Sequence, residues 1–430
     1  MNSLGRPSTI LLLALALLSC GSWRSGRAAS APDTLAFEPS PPDTGLFEPV
    51  APADASLDEE WLRAAWDDRL LDEPEEWGRR GERGRLDAHL DYNRVDPLRV
   101  GVGWQAQRPT TMRPRLGARL EYATGRERVL YAVQVEQPLA PRGMLAVGVT
   151  MGRRTEHNPL QQVSDVENSL ALLFGRQDYR DYFEREGFGG YVSSRLGGVT
   201  TASVSLMSER DRSIPRFPGT RSWLHRQRTL RPNPPIEEDR ARIAVVRLER
   251  WLPSSGRARA GFAHRVDFET AGRRLGGDQR YDRALADLRA LIRTSPATAL
   301  ALRAVGGSCL GGVLPPQNEF VIGGPDGLRA HATGAFRGDQ VALMQVEYSV
   351  ELWHVRRGVF EGGLHAIVFL DSGRAWNHPD HGWNVQDQRM DVDGGFGLGT
   401  AEDNLRVYFA RNLRQPDSGF VVSARLQRPF

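Results

Sequence analysis

Lysine is absent from the 430 residues, so all 56 basic side chains are arginine, set against 53 carboxylates for a formal charge of +3. The arginines are spread along the chain and interleaved with Asp and Glu, which excludes the basic stripe of a nucleic-acid binder. Cysteine is nearly missing as well. Cys20 and Cys309 are the two, and with Cys20 inside an export signal no intrachain disulfide framework remains, despite an oxidising destination. Beyond the N-terminus no apolar run approaches the roughly 18 residues of a membrane-crossing helix. That excludes a helical membrane protein. It leaves a membrane barrel open, because alternating lipid-facing and lumen-facing side chains give only an average hydrophobic fraction, here 40%.

What is present begins with Arg6 and an apolar run at 10–18, the length of a signal-peptide core. Residues 1–30 are read as that signal, with cleavage near Ala28-Ala29-Ser30. Leu17-Leu18-Ser19-Cys20 also resembles a lipoprotein processing box, which makes Cys20 a candidate for lipidation. Residues 31–84 are rich in Pro, Ala and acid and are read as a linker. One short helix is expected at 57–71, where Leu57, Trp61, Leu62, Ala65 and Trp66 fall near one face.

From Arg85 to Phe430 the chain becomes alternating segments of about ten residues separated by turn residues. Sixteen strands are expected, at 85–93, 98–107, 114–123, 128–138, 143–153, 187–196, 199–208, 240–251, 257–269, 281–293, 297–307, 339–351, 358–371, 389–400, 404–412 and 418–430. Ten residues tilted about 45° climb about 23 Å, which fits the apolar band of an outer-membrane barrel. Connections after even-numbered strands are short (PLAPRG, LPSSG, TSPA), and several after odd-numbered strands are long. Short turns therefore mark a periplasmic rim and long loops the exterior, so residues 85–430 are read as an all-β transmembrane antiparallel barrel. The stretch DVENSLALLFGRQDYRDYFERE is read as helix, because Val166, Leu170, Leu173 and Phe174 recur at helical intervals and a strand would break the long-short alternation. Packing across the outer rim is its expected role.

Three motifs narrow the reading. FVVSARLQRPF places Phe420, Val422, Ala424, Leu426 and Phe430 on one face of a closing strand. FVIGGPDGLRAH follows the eleventh strand, and VFLDSG ends the thirteenth. Together these resemble the barrel domain of the outer-membrane assembly-factor superfamily, the BamA- and TamA-like proteins or bacterial surface antigens. Supporting likeness runs through DYNRVDPLRVGVG, QVEYSVEL, GGFGLG and NLRVYFA. The resemblance implies that the long loop, with Gly323 and Gly324 in it, folds back into the lumen. It implies that Arg329 at the tip is held by Asp371 of a Phe369-x-Asp371-x-Gly373 strand motif, as a bidentate pair. It also implies that Phe430 is read by the barrel assembly machinery. The family's Gly and aromatic after the arginine are here Ala330 and His331, and residues 31–84 are too short and Pro-rich for a POTRA domain, so a POTRA-less member is expected.

The function implied is insertion or transport of polypeptide or lipid through a lateral seam between first and last strands. The alternative is a passive pore or a structural envelope barrel. Outer-membrane lipid and lipopolysaccharide are the expected surroundings, with the arginines at 216–231 as candidate phosphate contacts. Gly394, Gly395, Gly397 and Gly399 are read as bends and close approaches rather than phosphate cradles, and His378, Asp380 and His381 as polar loop residues rather than metal ligands. Neither G-x-S-x-G nor H-E-x-x-H occurs, and a non-enzyme without a cofactor is expected.

Overall fold

The computed structural model describes residues 85–106, 112–140, 144–196, 200–225, 227–250, 261–295, 297–357, 360–378, 383–400, 405–415 and 417–426. The expected signal peptide, the linker with its helix, Cys20 and Phe430 lie outside these residues.

Eighteen strands are present among them. They are β1 Arg85–Asp91, β2 Arg99–Ala106, β3 Arg115–Ala123, β4 Arg128–Pro138, β5 Leu145–His157, β6 Tyr182–Leu196, β7 Thr200–Ser213, β8 Arg240–Arg250 and β9 Gly261–Ala271. The second half holds β10 Tyr281–Ser295, β11 Thr298–Gly312, β12 Phe320–Ile322, β13 Phe336–Gly338, β14 Gln340–Arg357, β15 Phe360–Trp376, β16 Asp391–Thr400, β17 Arg406–Asn412 and β18 Val421–Arg425. Sixteen of them form one sheet in chain order, β1 to β11 and then β14 to β18, with each neighbour antiparallel. β12 and β13 form a separate ribbon inside the connection between β11 and β14. Such a meander needs only tight turns and long loops, in keeping with the alternation of short and long connections in the sequence.

The two faces of the sheet differ sharply. One exposes apolar side chains, among them Leu86, Leu90, Val100, Val102, Trp104, Leu120 and Val149. The opposite face buries charge: Asp91, Arg99, Glu121, Glu136, Glu209, Asp287, Arg303, Glu347 and Asp371. A face this apolar around the whole sheet suits lipid, and a charged interior suits a barrel lumen. No helix among the described residues is long and apolar enough to cross a membrane.

Two connections fill the charged interior. Leu160 from the β5–β6 connection, and Leu314, Phe320, Ile322 and Leu328 from the β11–β14 connection, share one buried cluster with Ile243, Tyr281, Val305 and Val341 of the sheet. The β5–β6 connection also carries helix α1, Asp165–Gly175, capped by Ser164, whose side chain accepts from the Glu167 N–H.

The observed bounds correct several expectations. α1 ends at Gly175, where Arg176 takes a left-handed conformation (φ 52°), and the YFERE segment expected to be helical instead opens β6, with Phe183 opposite Ser213. β14 and β15 reach 18 and 17 residues, well past the expected bilayer length, because their paired segments continue beyond it. The apolar spacing that marks α1 as a helix is not its buried side: Leu170 and Phe174 are exposed, while Asp165, Glu167, Asn168 and Leu172 are buried. A helix set against a charged lumen buries its polar side, the reverse of the rule for an apolar core.

Candidate functional site

The β11–β14 connection turns back on itself at Gly323 and Gly324, whose φ values of 114° and 84° lie where a Cβ is strained. The Gly324 N–H donates to the Leu328 carbonyl at 3.1 Å, closing a tight turn that presents Arg329. Sheet side chains hold the backbone of this tip: Arg303 donates to the Asp326 carbonyl at 2.9 Å and Gln345 to the Gly327 carbonyl at 2.9 Å.

Arg329 is buried, and the structure brings it to Asp371. Its Nε lies 3.2 Å from Asp371 Oδ2. The expected bidentate pair is corrected, however, because the guanidinium is shared: its NH1 donates to Glu347 Oε2 at 3.0 Å. Phe369 and Tyr408 enclose the cation, with its central carbon 4.2 Å and 4.5 Å from the two ring centroids, both within cation–π range. The rings themselves meet edge to face at 5.6 Å. Tyr408 Oη donates to Glu347 Oε2 at 3.0 Å, and Arg406 contacts Glu347 Oε1. Burial opposes the charge of Arg329, but the carboxylates of Asp371 and Glu347 prevail and raise its pKa above the ordinary arginine value.

The strand register explains why a cation is needed here. Asp371 of β15 stands directly opposite Asp393 of β16, and like charges facing each other across a ladder destabilise the pair. The loop answers both. Arg329 takes Asp371, while the Ala330 N–H donates to Asp393 Oδ2 at 2.7 Å and His331 Nδ1 lies 3.1 Å from the same oxygen. His331 also lies 3.2 Å from Asn412 and packs its ring 5.1 Å from Phe336. Its pKa is raised, first by the Asp393 hydrogen bond and then, against the effect of burial, by the charges of Asp393 and Asp391. The two departures from the family pattern, Ala330 and His331, therefore both engage Asp393.

Gly373 lies two residues beyond Asp371 on the same face, opposite Leu343, and a Cβ there would sit 2.7 Å from the Ala342 carbonyl oxygen. Glu347, Tyr408, Arg406, Gln345 and Asp393 were not singled out from sequence. Four of them lie in QVEYSVEL and NLRVYFA, segments noted only as supporting likeness, and alternation alone predicts that they face inward.

The remaining candidates stand apart from this site. His378 donates its backbone N–H to Asp339, whereas Asp380 and His381 lie outside the described residues. Among the described residues no group of three or more metal-ligating side chains comes together. In the arginine-rich stretch, Arg231 pairs with Asp181 at 2.6 Å and Arg216 donates to the Leu230 carbonyl, so these two bind the protein itself. Arg221 and Arg228 are exposed.

No protein-family model and no curated protein matches the sequence. Solved structures do. BamA from Haemophilus ducreyi lacking POTRA domains 1–3 superposes with a TM-score of 0.53 at 12% identity, covering 81% of this chain and 71% of that one. CdiB from Escherichia coli gives 0.46 at 12% identity over 83% and 68%. CdiB from Acinetobacter baumannii gives 0.43 at 15% over 79% and 58%. At such identity the likeness is one of fold, and of these three superpositions that on BamA exceeds a TM-score of 0.5: the part of this chain that it covers has the fold of a BamA-type barrel.

Proposed function

We propose that this chain is an outer-membrane insertion or translocation factor, passing or integrating polypeptide or lipid at the seam between β1 and β18. The supporting observation is a pairing left out. Among the described residues every sheet neighbour is laddered to the next, but β1 and β18 share no ladder. A strand edge with free backbone groups templates another strand. The Arg329 clasp would hold the inner connection in place while that edge works. Arg329, Asp371, Phe369, Gly373, Gly323 and Gly324 thus serve as an internal lock, with Glu347 and Tyr408 as further members.

The test is a disulfide engineered between β1 and β18 in the full chain, reconstituted in liposomes and presented with an unfolded outer-membrane barrel polypeptide. Incorporation is scored by the electrophoretic mobility of unheated samples. Oxidation should stop incorporation and reduction should restore it. Equal incorporation in both states would remove the seam from the mechanism.

A further inference from the structure

The first turn of α1 touches both edges of the sheet. On one side, Asp165 Oδ2 lies 3.4 Å from His89 Nε2 of β1 and 3.4 Å from an NH2 of Arg99 in β2. The Ser169 hydroxyl accepts from the Tyr92 N–H at 2.9 Å and donates to Asp91 Oδ1 at 3.0 Å, at the end of β1. On the other side, Glu167 Oε1 pairs with Arg425 Nε of β18 at 2.6 Å, and its Oε2 accepts from the Leu426 N–H at 3.3 Å. Residues 165 to 169 rise only about 6 Å along a helix, so one turn joins the first strands to the last.

The backbone contacts are the informative part. In a closed ladder, amides at strand edges are satisfied by the neighbouring strand. Here the amides one residue past β1 and β18, Tyr92 and Leu426, are satisfied by side chains of one helix. Arg425 adds a second link, since it also donates to the Pro325 carbonyl at 2.9 Å and pairs with Asp326 at 3.0 Å, in the tip that presents Arg329. Helix, seam and inner connection therefore meet at one guanidinium.

We propose that α1 is a strap across the seam: its first turn joins β1 to β18, which share no ladder among the described residues, and release of that turn frees both edges at once. Arg425 couples the release to the Arg329 tip. The proposal rests on the seam reading only for the place of motion, because opening of the edges is measurable without any substrate.

The experiment is amide hydrogen exchange on the full chain in liposomes, comparing the parent with Glu167→Gln. Removing one charge-assisted contact should raise exchange at β1 and β18 by about tenfold, while β8 to β10 keep the parent rates. Unchanged edges, or an equal rise around the whole sheet, would overturn the strap. Ser169→Ala removes only the hydroxyl between Tyr92 and Asp91 and carries the same expectation at β1, should Glu167→Gln fail to fold; unchanged exchange at β1 in Ser169→Ala would likewise count against the proposal. If the strap result holds while the seam disulfide leaves incorporation intact, the strap stands and the transport reading falls.

Discussion

Arg329 sits where two buried carboxylates compete for one cation. Glu347 and Asp371 each take one side of the guanidinium, and Arg406 supplies Glu347 with a second partner. Asp371 has no such spare: its other oxygen accepts from the neutral Gln345 amide at 3.3 Å, and Asp393 stands across the ladder. Loss of Arg329 therefore falls hardest on Asp371. Breaking a buried pair of this kind costs about 3 to 5 kcal/mol. Arg329→Asp and Asp371→Arg should each reduce the folded, heat-modifiable barrel in membranes. The double variant should recover part of it, because the reversed pair re-forms while Glu347 retains only Arg406 and Tyr408. Full recovery would mean that Glu347 gains nothing from Arg329, and no recovery would mean that Asp371 is not its main partner.

At the scale of elements, strand positions were legible because alternation and turn residues are local, and the sixteen expected segments each overlap one strand of the large sheet. Their ends were less legible: β6 and β14 run to 15 and 18 residues, past the expected bilayer length, and no sequence feature marks where lipid stops. The clasp partners were hidden for a related reason. Alternation gives the inward face of Glu347 and Tyr408, whereas their shared height depends on the register of several intervening ladders. α1 is the clearest failure of a general rule. Apolar spacing identifies the helix, yet the buried leucine is Leu172, outside the spaced set, while Leu170 is 38% exposed. Leu172→Ala should cost about 2 to 4 kcal/mol as a buried truncation, and Leu170→Ser should leave stability within about 0.5 kcal/mol. Denaturant titration of the folded barrel followed by electrophoretic mobility distinguishes them. Equal losses would show that Leu170 packs as closely as Leu172.

For the whole molecule the question is whether the inner connection merely obstructs a pore or holds the barrel together. An obstruction would make few specific contacts, and its removal would leave a lined, hydrated channel. The connection at 313–339 instead supplies Arg329 to Asp371 and Glu347, the Ala330 N–H and His331 to Asp393, and Asp326 to Arg425. Phe320, Ile322 and Leu328 add a buried apolar contact with the sheet. Deleting it would leave several charges facing the lumen without their partners, and Asp371 opposite Asp393 with nothing between them. Water entering the lumen would rehydrate some of these groups, which lowers the penalty without replacing the ordered contacts. Removal of residues 314–337, with the ends rejoined through a short Gly-Ser linker, should therefore reduce the yield of folded barrel in membranes. The surviving fraction should show accelerated exchange at β15 and β16, where the paired carboxylates lie. Planar-bilayer recordings on the same preparation complete the test. A fully folded deletion variant with a large, steady conductance increase would favour the passive pore, because it would show a sheet that closes and persists without its internal clasp.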